Sequence, residues 1–465
     1  MPPTEQDQAN KPVEQSQQPT EQVASALDHH PDRPISTVVT GGQVDQIINI
    51  ARLDELKTTK LFYLFRDTKQ VVVFLLILIA VASSISYIYW RSQQPEWMPE
   101  DGFNIAIAQI GQVTEKGVEA TEDTTKFTIA LSHYLSTQTG QDDFGLDVYV
   151  SNKKMPILMD EAGATKLAKK TNADLVVYGS VSFNRDIGEF LPSFYVVGRN
   201  GGIDATGYNQ FARPITFTTE YNSKEQLKFI LHTRASILTN FIKGLVYFNI
   251  KNPKYKAAED SFQTAVNEAE KLPPFGGQEV LYLMLAAAQR QQATPAKFGQ
   301  ARSNLGTALD LNPEYARAGI GMGNSFYDEF VAGDADPMLL EQAMAEYSWA
   351  LTAQDNPTSA HIDTKANIGL GNVLFLQARQ GSDFTRLDDT RTYYQNAINA
   401  HLQNPEAIEL ARVVAYAYRG LGWIYDVQGN FIESKAAYEK CVSLPTDEKL
   451  RHDCQTELDA IKVTK

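Results

Sequence analysis

Five times between residues 258 and 441 the chain sets small and large residues at i, i+4 and i+7. The triplets are Ala258/Phe262/Ala265, Ala301/Leu305/Ala308, Ala343/Tyr347/Ala350, Thr390/Tyr394/Ala397 and Ser434/Tyr438/Cys441. That spacing puts each triplet on one face of a helix. A glycine and a large residue precede four of them, at Gly244/Tyr247, Gly323/Phe326, Gly371/Leu374 and Gly422/Tyr425. Gly429-Asn430 breaks the last copy between its two helices. A single helix pair of this size cannot bury its apolar faces alone, so the copies must stack, and stacked pairs enclose a groove.

Asn-Pro follows three of the copies, at Asn312-Pro313, Asn356-Pro357 and Asn404-Pro405. Proline cannot continue a helix interior and pushes the preceding residue out of the helical region. With these features, residues 231–446 resemble the tetratricopeptide repeat (TPR) family, as about five helical repeats. Between the last triplet residues the steps are 43, 42, 47 and 44. The family period is about 34, and a period of about 40–47 is nearer to HEAT repeats. The extra length can be located. Gly422 to Ser434 is 12 residues, the family spacing, whereas Gly323 to Ala343 is 20 and Gly371 to Thr390 is 19. The third and fourth copies therefore read as TPR units with long loops at Val331–Pro337 and Gln380–Thr385. The second copy shows no helix-A glycine. Residues 447–465 read as a capping helix and the C-terminus.

The resemblance implies a function of holding a protein or peptide partner, whose identity the sequence does not give. In the family the concave face is lined by helix-A positions around the glycine. Carried over, these are Arg317, Ile320, Asn324 and Tyr327; Lys365, Ile368, Asn372 and Phe375; and Tyr416, Arg419, Trp423 and Asp426. Arg317, Lys365 and Arg419 with Asn324 and Asn372 resemble the family arrangement that grips peptide carboxylates. Gly369 stands where that clamp wants an asparagine.

Val71–Trp90 is 20 residues without a charge. As a helix it would span about 30 Å, the hydrocarbon thickness of a bilayer. Tyr87, Tyr89 and Trp90 sit at one end, as an interfacial aromatic belt would. Arg52, Lys57, Lys60, Arg66 and Lys69 precede the span, and Arg91 alone follows it within 20 residues. The positive-inside rule then keeps the N-terminus cytoplasmic and the C-terminal domains extracytoplasmic. Ala80-Val-Ala82 looks like a signal cleavage site, but the preceding region is far too long for an ordinary signal peptide, which favours an uncleaved anchor.

Residues 1–45 are too polar to fold alone and read as a disordered tail. Residues 46–70 are a basic juxtamembrane segment, either an amphipathic helix on the headgroups or a helical lead-in to the span. After a linker at 91–101 the periodicity changes. Asn104–Gly111, Leu146–Val150 and Ala173–Phe183 read as strands, alternating with helices at Thr121–Thr137 and Glu161–Thr171. Further strands come at Phe194–Val197 and Ile215–Tyr221. The expectation is an α/β domain over 102–223 with right-handed crossovers. The fold class is therefore multi-domain: a single transmembrane helix, a small α/β domain, then an all-α TPR solenoid. The segments around FNIAIAQIG and NADLVVYGSVS make the domain similar to the amino-terminal domain of the Tol-system protein TolB and related envelope proteins. That implies a bacterial envelope protein with a contact role.

Little in the sequence points to catalysis or a cofactor. His133, His232, His361, His401 and His452 are scattered, and His29-His30 lacks further ligands nearby. There is no phosphate-binding loop. Gly198–Gly202 follows a strand without opening a helix, and Tyr178–Ser182 lacks the nucleophile-elbow pattern. Glu122/Asp123 and Asp142/Asp143 read as solvated acids. A net charge of −14 disfavours nucleic acid. Cys441 fits a small packing position, and Cys454 lies on the capping helix beside it. Outside the cytoplasm the two could be bridged. The sequence thus points to a membrane-anchored, non-enzymatic scaffold. The other reading is a ligand-sensing α/β domain coupled through the membrane helix to the cytoplasmic tail.

Overall fold

The computed structural model describes residues 68–92, 94–140, 144, 147–184, 187–197, 207–210, 215–221, 227–231, 234–250, 252–333, 336–353, 360–381, 384–403, 405, 408–444, 446 and 448–463. The 1–45 tail, nearly all of the 46–70 segment, His29-His30, Asp142/Asp143, Gly198–Gly202 and Asn356-Pro357 lie outside them.

Helix α1, Thr68–Ser92, contains the whole apolar run. It is long and apolar enough to cross a bilayer, and none of its Val72–Ser92 window is buried within the protein. The chain up to Tyr89 forms one unit, and the chain from Trp90 onward forms another.

The second unit opens with a nine-stranded sheet among the described residues. Strands β1 (Phe103–Ile107), β4 (Val148–Ser151) and β5 (Leu175–Asn184) are parallel neighbours in the order β4-β1-β5. Helix α2 (Glu122–Gly140) lies between β1 and β4 in sequence, and α3 (Glu161–Thr171) between β4 and β5. Both helices and β4 answer to the sequence pattern, α3 residue for residue. Its ends are fixed chemically. Asp160 caps it by accepting the Gly163 N–H at 2.7 Å, and Asn172 closes it in the left-handed region at φ 58°.

A hairpin of β2 (Gly111–Thr114) and β3 (Gly117–Glu119) continues along the same edge of β5, through Gly111 and Gln112 opposite Ser180 and Val181. On the other edge, β6 (Ile187–Val196) pairs antiparallel with β5 over its full length. The strand expected at Phe194–Val197 is the end of this ten-residue one. Gly179 has φ 143°, and a Cβ there would run into the Leu191 carbonyl, so the Tyr178–Ser182 stretch is an interior strand with a close backbone approach. Strand β7 (Gly207–Gln210) and the β8–β9 pair (Ile215–Tyr221, Leu227–Leu231) complete the sheet. The sheet therefore continues to Leu231, past the expected boundary at 223.

The two faces of the sheet follow the two-residue period of a strand. Ala106, Val176, Tyr178 and Tyr195 pack with Ala164, Leu167 and Ala168 of α3. Phe103, Ile105, Ile107, Leu175, Val177, Phe190 and Phe194 pack with Phe127, Leu131 and Leu135 of α2. The same core continues without a break into helix α4 (Arg234–Asn249) through Ile237, Leu238 and Phe241. Phe194 and Phe241 lie 5.1 Å apart between ring centres, and Tyr134 shares a 2.9 Å hydroxyl contact with Thr239. Each such buried aromatic contributes about 1.5–3 kcal/mol. The sheet and the first repeat thus form one hydrophobic core.

Among the described residues ten further helices continue the chain: α5 (Tyr255–Glu270), α6 (Gln278–Arg290), α7 (Pro295–Leu311), α8 (Ala316–Val331), α9 (Pro337–Ala350), α10 (Ala360–Gly381), α11 (Leu387–Gln403), α12 (Ile408–Val427), α13 (Phe431–Ser443) and α14 (Glu448–Val463). With α4 they make five helix pairs and a terminal helix, an all-α TPR solenoid. The glycines explain its close packing. Tyr347 of α9 fills the space left by Gly323 on its own partner helix and Gly369 on the next, where a Cβ would lie 2.6 and 2.5 Å from the ring. Tyr394 of α11 lies in the same way between Gly371 and Gly420. In the second pair the corresponding residue is Leu305, smaller than an aromatic ring, and α6 carries Ala286, Ala287 and Ala288 in place of a glycine.

The breaks inside the long third and fourth copies fall where expected, between Val331 and Pro337 and just after Gly381, but they are short. Helix α8 runs to Val331, and α9 begins at Pro337 behind an Asp336 cap that accepts the Met338 N–H at 3.0 Å. Helix α10 runs to Gly381, and a single 3-10 turn (Phe384–Arg386) leads into α11. Much of the added length is helical turn on either side of a short break. A turn added to a helix forms its own backbone hydrogen bonds, which an irregular loop would leave to water.

Candidate partner-binding groove

The helix-A side of pairs two to five and the last helix surround a cavity of about 860 Å³. Eight of the twelve positions that the sequence marks for the groove line it: Asn324, Tyr327, Ile368, Asn372, Phe375, Tyr416, Arg419 and Trp423. They are brought together because α8, α10 and α12 lie side by side and each turns the same face inward.

Arg317 and Lys365 are placed elsewhere. The Arg317 Nη1 donates to Asn209 Oδ1 of β7 at 2.7 Å. Lys365 is 3% exposed. His361, one turn earlier on α10, has Nε2 3.1 Å from Glu161 Oε1 at the start of α3. The α/β domain therefore covers the N-terminal end of the groove with its own residues. Burial raises the Glu161 carboxyl, but His361, and behind it Arg317 and Lys365, outweigh this and hold it below the usual carboxylate range.

The two groove asparagines have partners inside the solenoid. Asn324 Oδ1 accepts from the Tyr347 hydroxyl at 2.7 Å, and Asn372 Oδ1 from the Tyr394 hydroxyl at 2.9 Å. Each keeps its amide N–H donors for other contacts. The third pair of this kind is replaced: Trp423 stands at the asparagine position, and Ser434 Oγ donates to the Gly422 carbonyl at 2.7 Å. Gly369 is a glycine because the Tyr347 ring occupies the place of its side chain.

Four arginines face the cavity: Arg290, Arg379, Arg412 and Arg419. Only Arg419 is among the residues marked from sequence. Arg290 pairs with Asp328, and Arg419 lies 3.2 Å from Asp453 of α14. The Arg379 guanidinium lies 5.7 Å from the ring centre of Phe375 and 5.9 Å from that of Trp423, and these two rings meet edge-on at 4.9 Å. Asp328 and Glu457 are the acids of the lining. Burial, then Asp328 and Tyr416, push the Tyr327 hydroxyl up to about 12, so it stays a neutral donor at ordinary pH. Arg379 could have been found from its place one turn beyond Phe375. Arg290 and Arg412 carry no local signal, because their inward direction depends on how the pairs stack.

Cys441 of α13 and Cys454 of α14 form a disulfide, with α-carbons 6.2 Å apart. It holds the terminal helix against the last pair, which brings Glu457 into the groove lining. Among the described residues no group of His, Cys, Asp or Glu could hold a metal ion.

No family model matches the sequence, and no curated protein matches it either. Among solved structures, TTC0263, a thermophilic TPR protein in Thermus thermophilus, aligns over 48% of this chain and 98% of its own, at 19% identity and a TM-score of 0.35. PilW, a type IV pilus biogenesis factor, aligns over 48% of this chain and 92% of its own, at 17% identity and a TM-score of 0.32. The repeat assignment rests on the glycine and ring positions of the chain itself.

Proposed function

We propose that the protein is a membrane-anchored, non-enzymatic scaffold that holds an extended segment of a partner protein in the α8–α10–α12 groove. The observation that carries this reading is the cluster of four arginines among Tyr327, Phe375, Tyr416 and Trp423, in a chain whose net charge is −14. Guanidinium groups beside aromatic faces suit a peptide that brings carboxylates and apolar side chains together. Arg419, Asn324 and Asn372 remain in the contact set. Arg379 and Arg412 take the place of Arg317 and Lys365, which the α/β domain covers.

The test is binding of fluorescent acidic peptides to the purified full-length chain in detergent, with a basic peptide set as control. Arg379→Ala with Trp423→Ala should abolish binding of the acidic set with helicity unchanged. Equal binding by that variant sinks the groove reading.

The anchor is α1, with the N-terminus cytoplasmic and the body on the envelope side. The Cys441–Cys454 bridge supports that placement, because structural disulfides persist in oxidising compartments. The similarity of the sheet-forming segments to the TolB amino-terminal domain supports a bacterial envelope setting. Protease treatment of intact spheroplasts should remove a C-terminal tag and leave an N-terminal one. The reverse pattern would place the groove in the cytoplasm.

A further inference from the structure

The link between α1 and the sheet is short and tied down. Five residues separate Ser92 from Met98, a reach of at most about 20 Å. Met98 is buried and fixed to the end of α3. Its N–H donates to the Thr171 carbonyl at 2.9 Å, and Asn172 Nδ2 donates to the Met98 and Pro99 carbonyls at 3.1 Å each. Asn104 Nδ2 also donates to the Pro99 carbonyl, at 2.6 Å. Glu96 pairs with Lys153 at 2.9 Å.

The face on which this link docks has a distinctive composition. Trp97 is 54% exposed. Lys153 and Lys154 are exposed on the turn after β4, and Lys169 and Lys170 on the last turn of α3. Arg91 ends α1. The acids of the link are Glu96, matched to Lys153, Glu100 and Asp101. An exposed tryptophan among lysines is the composition of a surface that meets headgroups.

We infer that this face lies on an anionic bilayer surface, with Trp97 at headgroup level and Lys154, Lys169 and Lys170 over the lipid phosphates. The inference rests on α1 spanning the membrane. The link of five residues then keeps Trp97 within about 20 Å of the end of the span. Charge complementarity selects anionic lipid: each lysine near such a surface strengthens the contact by about fivefold.

The test uses the full-length chain in vesicles of phosphatidylcholine with or without a quarter of phosphatidylglycerol. A benzoylphenylalanine photoprobe replaces Trp97 in one variant and Ile432, 75% exposed on α13, in another. Irradiation should attach lipid at position 97 and much less at 432, and more with phosphatidylglycerol present. Adding Lys169→Glu and Lys170→Glu should lower labelling at 97 several-fold, with circular dichroism unchanged. Equal labelling at 97 and 432, in a chain that stays in the membrane through alkaline extraction, overturns the inference and leaves the span standing. Labelling at 97 that ignores phosphatidylglycerol overturns the anionic contact. Release of the chain by alkaline extraction overturns both the contact and the span.

Discussion

Arg317 and Asn209 are joined by a 2.7 Å hydrogen bond across 108 residues of sequence. It ties the third helix pair to the short strand β7 at the edge of the sheet, and it decides that Arg317 belongs to a domain contact. Asn209 is buried, so loss of the guanidinium leaves its carbonyl oxygen without that donor. Arg317→Ala and Asn209→Ala should each destabilise the chain, and the double variant should show a coupling of about 1–2 kcal/mol. A double-mutant cycle by urea denaturation measures it. Additive losses would mean the contact contributes nothing to the docking.

The glycines predict opposite outcomes for one substitution. Gly369→Ala places a Cβ 2.5 Å from the Tyr347 ring and should cost about 1–3 kcal/mol through overpacking. Gly306→Ala, in the interior of α7 with open space around it, should stabilise by about 0.4–1 kcal/mol. Thermal melts of the two variants give the comparison directly.

Glu161 makes the contact between sheet domain and solenoid sensitive to acid. Its carboxyl is held below the ordinary value of 4.5 in the folded chain. A depressed carboxyl contributes stability that is fully present above its unfolded pKa and is lost as pH falls through the folded one. The difference in unfolding free energy between the native chain and Glu161→Gln should therefore be largest near pH 6–7 and shrink steadily below about pH 4.5. Urea titrations across that range check the sign. A difference that grows toward low pH would contradict it.

The disulfide closes a loop of 13 residues. Replacing Cys454 by Ala should cost about 3 kcal/mol, on a chain-entropy view of such a loop. The loss should be local. Hydrogen exchange should accelerate in α14 and in the Tyr438 turn of α13, with α4–α7 unchanged.

The parts of the fold legible in the sequence are those that periodicity reports. The i, i+4, i+7 triplets mark side chains that are buried, and all five helices carrying them form. Helix α3 is readable to the residue because its cap, Asp160, and its stop, Asn172, are both local signals. The β2–β3 hairpin and β7 and β9 have three to five residues each, too short for a two-residue alternation to stand out. The groove was half legible for a different reason. Arg317 and Tyr416 occupy equivalent positions, six residues before the glycine of their helices, and position alone does not separate them. One meets Asn209 and the other faces the cavity because of where a sheet 108 residues upstream comes to rest.

The continuous core from Phe127 through Phe194 and Phe241 to Phe262 has a consequence for the chain as a divisible object. Repeat arrays ordinarily lend themselves to shortening, because each unit touches only its neighbours. Here the first helix pair is the floor of a sheet, and a cut at residue 232 would bare an aromatic face on both fragments. At the far end a covalent clasp holds the closing helix. Both ends of the described array are therefore tied down, one by a core shared with the sheet and the other by a covalent bond, which resists fraying at either end.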